Sequence, residues 1–434
     1  MKASRYNHFI DIGDGYAMFN ALTNAISLVD NELKTALEDP KALKHIPQDM
    51  IKSLAEEGFV IEDHIDERMI LKTRYDKDRY DTTRAYFRVL PTYRCNLACT
   101  YCYEGDKGKL GGHMGEDTAK KTVKFIKDRI RVWHSESVCV TLYGGEPMFN
   151  PKCSLYILEE ISSWGEANNI GVNIHIISNG TLFTPKIVAK LAKLPVTTIM
   201  ITIGGPKEVH DKIRPYKNGK GSYDDIINSL KLLKEAGLNP KVEVDVGRHN
   251  YRLIEEVTSE LQDRGLEGLD VGAGRIRTFR NFQEEALSLE DSEISTFWTD
   301  LLEHRPAMMA NPKMTPVSTY LPCVLCKEAS YIIDPSGTLY KCSLLLGMEE
   351  CIMGNINEDY PPSELTYAYC DWMARDPLLI EECSRCAYLP ICKGGCPGVA
   401  KLEHGTYHAP ACDILHKDLL GEVIKDYLRT KQKG

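Results

Sequence analysis

From Ala85 onward, short apolar runs alternate with longer stretches of helical spacing. The strand-like runs are Tyr86–Leu90, Val138–Leu142, Val172–Ile177, Thr197–Ile203, Val242–Val246 and roughly Leu269–Val271. Helical spacing fills the intervals near Glu116–Trp133, Ser154–Ala167, Thr184–Leu194, Tyr223–Ala236 and Tyr251–Arg264. Strands joined by crossover-length helices predict an α/β fold with a parallel sheet, open or closed into a barrel. Residues 1–84 follow another pattern. His8–Ile12 and Tyr16–Phe19 flank Gly13-Asp14-Gly15, a hairpin signal, and Ile26–Val29 offers a third strand. Asn31–Leu37 and Pro47–Glu57 are helical in spacing, and Gly58 ends the second. A few strands followed by helices predict a small winged-helix-like module, or else a cap on the next domain. Residues 277–320 read as a linker with one helix near Asp291–Glu303, residues 321–413 are turn-rich, and a polar helix, Leu415–Arg429, closes the chain. The expected domains are 1–84, 85–276, 277–320 and 321–434.

Composition narrows the function classes. The 434 residues are 43% hydrophobic and 26% charged, an ordinary globular balance. Lys plus Arg number 53 against 62 for Asp plus Glu, a net charge of −9, which is not the basic footprint of a nucleic-acid binder. No apolar run approaches the ~18 residues of a spanning helix. Met1–Asp11 has no signal-peptide core, so a cytoplasmic location without membrane partners is expected. Fifteen cysteines, an odd count in a chain without an export signal, favour metal or redox chemistry over a disulfide framework.

Cys95, Cys99 and Cys102 lie within eight residues directly after the first strand of the alternating region. Three thiolates at this spacing can wrap one face of an iron–sulfur cluster and leave one iron open; a zinc site with a distant fourth ligand is the alternative. Leu142-Tyr143-Gly144-Gly145-Glu146-Pro147, Ser178-Asn179-Gly180-Thr181 and Thr202-Ile203-Gly204-Gly205-Pro206 follow the next three strands, with His210, Asp211 and Arg214 shortly after. Read singly, Gly144-Gly145 fits a tight βα turn and Ser178-Asn179 a helix N-cap.

Together, over about residues 85–275, these motifs resemble the radical S-adenosylmethionine (SAM) superfamily. The resemblance implies a partial (β/α)₆ TIM-like barrel in which Cys95, Cys99 and Cys102 hold a [4Fe–4S] cluster and SAM chelates the open iron. It also implies cleavage to methionine and a 5′-deoxyadenosyl radical. Gly144 and Gly145 would permit close backbone approach, and Glu146 could accept from the SAM ammonium. Ser178 and Asn179 suit ribose and carboxylate contacts. Tyr101 stands where the family places an aromatic beside adenine. Thr202 keeps a hydroxyl for the SAM carboxylate, but Gly204 replaces the family's usual Asp. Arg214 either binds that carboxylate or caps the turn.

Cys326 and Cys342, with Gly337 between them, and Cys383, Cys386, Cys392, Cys396 and Cys412 resemble the seven-cysteine SPASM domain that follows many such barrels; a zinc ribbon is the alternative. The resemblance implies two auxiliary [4Fe–4S] clusters. Cys323, Cys326, Cys342 and Cys396 would hold the first, with Cys351 competing with Cys323, or that iron left open to substrate. Cys383, Cys386, Cys392 and Cys412 would hold the second. Cys139, Cys153 and Cys370 have no assigned role, and Cys139 suits a small buried hydrophobe.

SPASM-bearing relatives act on polypeptides, so the resemblance implies a maturase of ribosomally made (RiPP) peptides that installs a thioether or other crosslink. Residues 1–84 would bind the precursor's leader segment as an added strand, and a flavodoxin or ferredoxin would supply electrons. The alternatives are an anaerobic sulfatase-maturing enzyme that forms formylglycine and a non-catalytic electron carrier or scaffold. No catalytic base stands out; Asp245 and His249 near the fifth strand's end are candidates.

Overall fold

A computed structural model describes residues 1–102, 112–276, 287–304, 319–357, 366–412 and 415–431. The N-terminal strands β2 (Asn7–Asp11), β3 (Tyr16–Asn20) and β4 (Ile26–Val29) form an antiparallel meander with β4 at an edge. A two-residue ribbon pairs β1 (Lys2–Ala3) with β5 (Val60–Ile61). Helix α1 (Asn31–Glu38) starts where the Asp30 side chain accepts from the Leu33 N–H, and α2 (Gln48–Glu56) follows. Helix α3 (Glu67–Tyr80) is absent from the periodicity reading because Glu67 and Arg79 are buried on it alongside Leu71 and Tyr75.

Six parallel strands then line up in sequence order: β6 (Arg84–Val89), β7 (Ser137–Leu142), β8 (Gly171–Ser178), β9 (Val196–Ile203), β10 (Lys241–Val246) and β11 (Asp270–Arg275). Helices α4 (Glu116–Trp133), α5 (Pro151–Ala167), α6 (Pro185–Leu191), α7 (Lys207–Ile213), α8 (Tyr223–Glu235) and α9 (Ile254–Asp263) connect them. One face of each strand is apolar. Phe87, Val140, Ile176, Ile201 and Val244 are buried in a single core with helix residues such as Ile126, Leu158 and Leu230. Most alternate positions are polar and half-buried, among them Arg88, Thr141, His175, Thr202, Glu243 and Asp245. The period-2 rule therefore gives the sheet a dry helix-covered face and a wet face that can take a ligand.

The cysteine-rich region does not begin a separate sheet. Strand β12 (Ser330–Ile333) pairs parallel with β6, Ser330 opposite Tyr86, and the antiparallel β13 (Thr338–Tyr340) and β14 (Gly354–Asn355) extend the sheet to nine strands. Helix α10 (Asp291–His304), within the span expected as a linker, buries Ile294, Phe297, Trp298 and Leu301 in the main core. Four short helices follow: α11 (Tyr367–Ala374), α12 (Glu381–Ser384), α13 (Leu389–Cys392) and α14 (Pro397–His404). The closing helix α15 (Leu415–Lys431) contacts α10, β2 and β3. A second core joins Tyr6, Phe19 and Leu71 to Leu378, Leu389, Leu420 and Ile424, so the two ends of the chain share one apolar cluster.

Candidate active site

The loops at the carboxyl ends of β6 to β10 converge. The chain segment entering Cys95 lies on the turn after β7, where the Gly145 and Glu146 N–H groups donate to the carbonyls of Thr92 (3.2 Å) and Arg94 (3.0 Å). The glycines are required by that contact. Gly144 has φ +125°, and a Cβ there would sit 2.5 Å from the Thr92 oxygen; at Gly145 it would sit 2.5 Å from the oxygens of both Tyr93 and Arg94. The close approach that Gly144 and Gly145 permit is thus to the cysteine loop itself. From the other side the Ala98 and Thr100 N–H groups donate to Pro215 and Ile213, which braces the loop against the end of α7.

Glu146 is fully buried, and its carboxylate accepts from the Ser178 hydroxyl (2.9 Å), the Asn179 N–H (2.7 Å) and the Met148 N–H (2.9 Å). Burial pushes this carboxyl up to about 7 against those hydrogen bonds. Asn179 donates to Cys95 Sγ (3.5 Å) and to Asn96 Oδ1 (2.9 Å), and Asn96 in turn donates to Thr181. The Leu97 N–H also points at Cys95 Sγ, at 3.4 Å. Burial raises the Cys95 thiol to about 11, while the Leu97 and Asn179 donors favour its thiolate.

A second network surrounds Cys99. Arg214, 6% exposed, donates to the Tyr101 hydroxyl (2.6 Å) and lies 3.5 Å from Asp245; Tyr101 donates to Asp245 at 2.8 Å. The ring of His249 stacks on Tyr101 at 6.3 Å. Burial raises the Cys99 thiol, and the Arg214 charge opposes it. Arg214 thus braces Tyr101 and Asp245. At the turn after β9, where Gly204 replaces the Asp, the Ile213 side chain packs close: a Cβ at Gly204 would meet Ile213 Cδ1 at 2.6 Å. His210 accepts from the Gly204 N–H (3.0 Å) and its other ring nitrogen faces Ser222 (3.0 Å); burial lowers it to about 2, so it stays neutral. Asn250, missed by the periodicity reading, ties the Gly204 carbonyl to that of Asp245. Thr202 stands in register with Glu243 on the wet face. Cys139 is buried at 4% exposure between Tyr86 and Asn173 in register.

Within each of the two expected quartets of C-terminal cysteines, neighbouring thiols act on one another. The Cys326 thiol is raised by burial, then by Cys323 and Cys396, and Cys342 is raised by burial, Cys396 and Cys323. Cys383 is pushed up to about 11 by burial, Cys392, Cys412 and Cys386. Cys351, the competitor of Cys323, accepts at its sulfur from the Tyr407 hydroxyl at 3.3 Å. Among the described residues no three Cys, His, Asp or Glu side chains close tightly enough around one point to hold a single metal ion. A donor set made of thiols alone fits a cluster that takes one thiolate per iron. Gly398 adds a cradle, since a Cβ there would sit 2.5 Å from Cys342 Sγ.

Residues 89–261 match the radical SAM superfamily. Mycofactocin maturase MftC of Mycolicibacterium smegmatis is 25% identical over 326 residues, covering 70% of this chain and 76% of that protein. The cysteine-type anaerobic sulfatase-maturating enzyme of Clostridium novyi is 23% identical over 335 residues, 70% of this chain and 84% of the relative. SuiB of Streptococcus suis, solved bound to precursor peptide SuiA, aligns with a TM-score of 0.57 at 14% identity over 95% of this chain and 99% of its own, a likeness of fold.

Proposed function

We propose that this chain, whose residues 89–261 are a radical SAM domain, is a peptide maturase that acts on a ribosomally made precursor. The observation that carries the reading is the meeting of the Cys95 and Cys99 networks at the polar face of the parallel sheet. The superfamily implies SAM and a [4Fe–4S] cluster, and the donors present fit both. Cys95, Cys99 and Cys102 would hold the cluster, and the SAM cradle would comprise Tyr101, Gly144, Gly145, Glu146, Ser178, Asn179, Thr202 and Arg214. When bound, the pair supplies a 5′-deoxyadenosyl radical able to take hydrogen from a peptide carbon.

The protein's part is positional. Asn179 and the Leu97 N–H orient Cys95 and stabilise its charge. Glu146 fixes the Ser178-Asn179 turn, and Arg214 with Asp245 holds the Tyr101 ring. The two C-terminal quartets would carry auxiliary clusters that receive the surplus electron of a crosslinking oxidation. A flavodoxin or ferredoxin would deliver the electron that opens the reaction. No helix among the described residues is long and apolar enough to cross a membrane.

The N-terminal meander would bind the leader segment along the free edge of β4, where Leu28 is 57% exposed. Similarity to mycofactocin maturase MftC and to a structure solved with a precursor peptide supports a peptide substrate. Oxidation of a sulfatase cysteine or serine to formylglycine would need the same radical centre but not this edge. The separating experiment uses a peptide encoded beside this chain's gene and the variant Leu28→Lys. Peptide binding should fall at least tenfold while SAM cleavage without peptide is unchanged. A sulfatase peptide modified equally by wild type and variant would select the other reading.

A further inference from the structure

Arg79 and Arg375 are 3% and 2% exposed. A guanidinium keeps its proton in a protein, and a buried charge without a counter-charge is costly. Neither arginine makes an ion pair with a carboxylate among the described residues; Asp376 pairs with Lys72 and Asp81 with Lys327. Their hydrogen bonds go to neutral oxygens instead, and one from Arg79 is taken by the Tyr75 hydroxyl at 3.2 Å. Arg375 donates to Tyr407 (2.7 Å), Gly394 (2.6 Å) and Ala409 (3.4 Å), and Arg79 donates to the carbonyls of Arg375 (2.6 Å) and Trp372 (3.1 Å). Arg375 Nη1 and Arg79 Nε are buried with no hydrogen-bond partner.

Two of the carbonyls held by Arg375 belong to the cysteine-bearing segments. Gly394 lies between Cys392 and Cys396, and Ala409 just precedes Cys412. Gly394 has φ +74°, and a Cβ there would sit 3.3 Å from Arg375 Nη1, so glycine leaves room for the guanidinium. Cys392 and Cys396 belong to different quartets, so the Gly394 carbonyl seats Arg375 between the two sets, whereas the Arg79 carbonyl accepts from the Glu328 N–H (2.9 Å), two residues past Cys326 of the first set alone.

We propose that Arg375 is a counter-charge shared by two auxiliary iron–sulfur clusters, with Arg79 serving the Cys323, Cys326, Cys342 and Cys396 cluster alone, and that both raise the potentials of the clusters they face. This rests on the reading that the quartets hold clusters. Four thiolates leave such a centre negative, and reduction adds one more electron. A fixed positive charge at short range in a low-dielectric interior therefore favours the reduced form. Arg375 is a positioning residue: it sets the driving force for electron uptake at both centres and touches no substrate.

The test is a redox titration followed by electron paramagnetic resonance on the reconstituted full-length protein. Wild type is compared with Arg375→Met, Arg375→Lys and Arg79→Met. Arg375→Met should move both auxiliary midpoints to more negative values, and Arg79→Met only one. Arg375→Lys, which keeps the charge but loses the fork of carbonyl contacts, should lose thermal stability with midpoints near wild type. Unmoved midpoints in a loaded Arg375→Met protein, or an equal shift in Arg375→Lys, overturn the proposal with the clusters still in place. Wild type holding about four irons instead of about twelve overturns the auxiliary-cluster reading and the proposal with it. Should Arg375→Met fail to load, the other two variants decide: one shifted cluster in Arg79→Met and none in Arg375→Lys supports it, and an unshifted Arg79→Met overturns it.

Discussion

A methyl group at Gly145 would stand 2.5 Å from the carbonyl oxygens of Tyr93 and Arg94, both backbone atoms that cannot rotate away. Gly145→Ala should therefore push the cysteine loop off its seat. The expected cost is about 1–3 kcal/mol of stability, together with loss of iron at the Cys95, Cys99 and Cys102 site while the C-terminal quartets stay loaded. Thermal denaturation and iron analysis check it. Glu243 allows a pH test. Burial and then Asp245 raise its carboxyl from 4.5 to about 7, and a Cβ at Gly274 would collide with it. Between those values the folded chain keeps a proton that the unfolded chain has released, so stability falls as pH rises through the window, by roughly 3 kcal/mol at full effect. Glu146 shares that window. Glu243→Gln should flatten part of the decline and be more stable than wild type above pH 7, as melting temperatures from pH 5 to 8 would reveal. At this scale the sequence showed which residues matter but not their contacts. Gly204 was readable as a departure, and only the structure brings Ile213 against it.

Elements with a clean period were legible. Helix α4 is found where its apolar spacing placed it, and strands β6 to β10 match the alternating runs within a few residues at each end. Helix α3 was not legible, because its buried face carries Glu67 and Arg79 and the apolar stripe is broken. Nor was the pairing of β12 with β6, since local periodicity does not encode which distant strand will dock. The expected linker helix near Asp291–Glu303 does form, but it packs into the main core. Helix α15 has its own test. Ile424 is fully buried in the cluster that joins the chain's ends, so Ile424→Ala should cost about 2–5 kcal/mol. Urea denaturation should show it, and unchanged stability would mean that α15 is not a structural clasp.

Across the whole molecule, one continuous sheet links the cysteine loop after β6 to the strands that lead into the C-terminal cysteines, and the shared apolar cluster ties residues 1–84 to the C-terminal region. On the proposed function, the N-terminal unit would present a peptide and the C-terminal region would take electrons, with the radical centre at the sheet between them. Everything in that account depends on SAM being cleaved at the Cys95, Cys99 and Cys102 loop. The most direct measurement is 5′-deoxyadenosine formation by the anaerobically reconstituted protein with SAM and dithionite, beside a variant in which these three cysteines are alanine. The account predicts 5′-deoxyadenosine from the wild type, none from the variant, and a variant that still holds about eight irons. Intact SAM in a fully loaded wild type, or equal cleavage by both proteins, would contradict it.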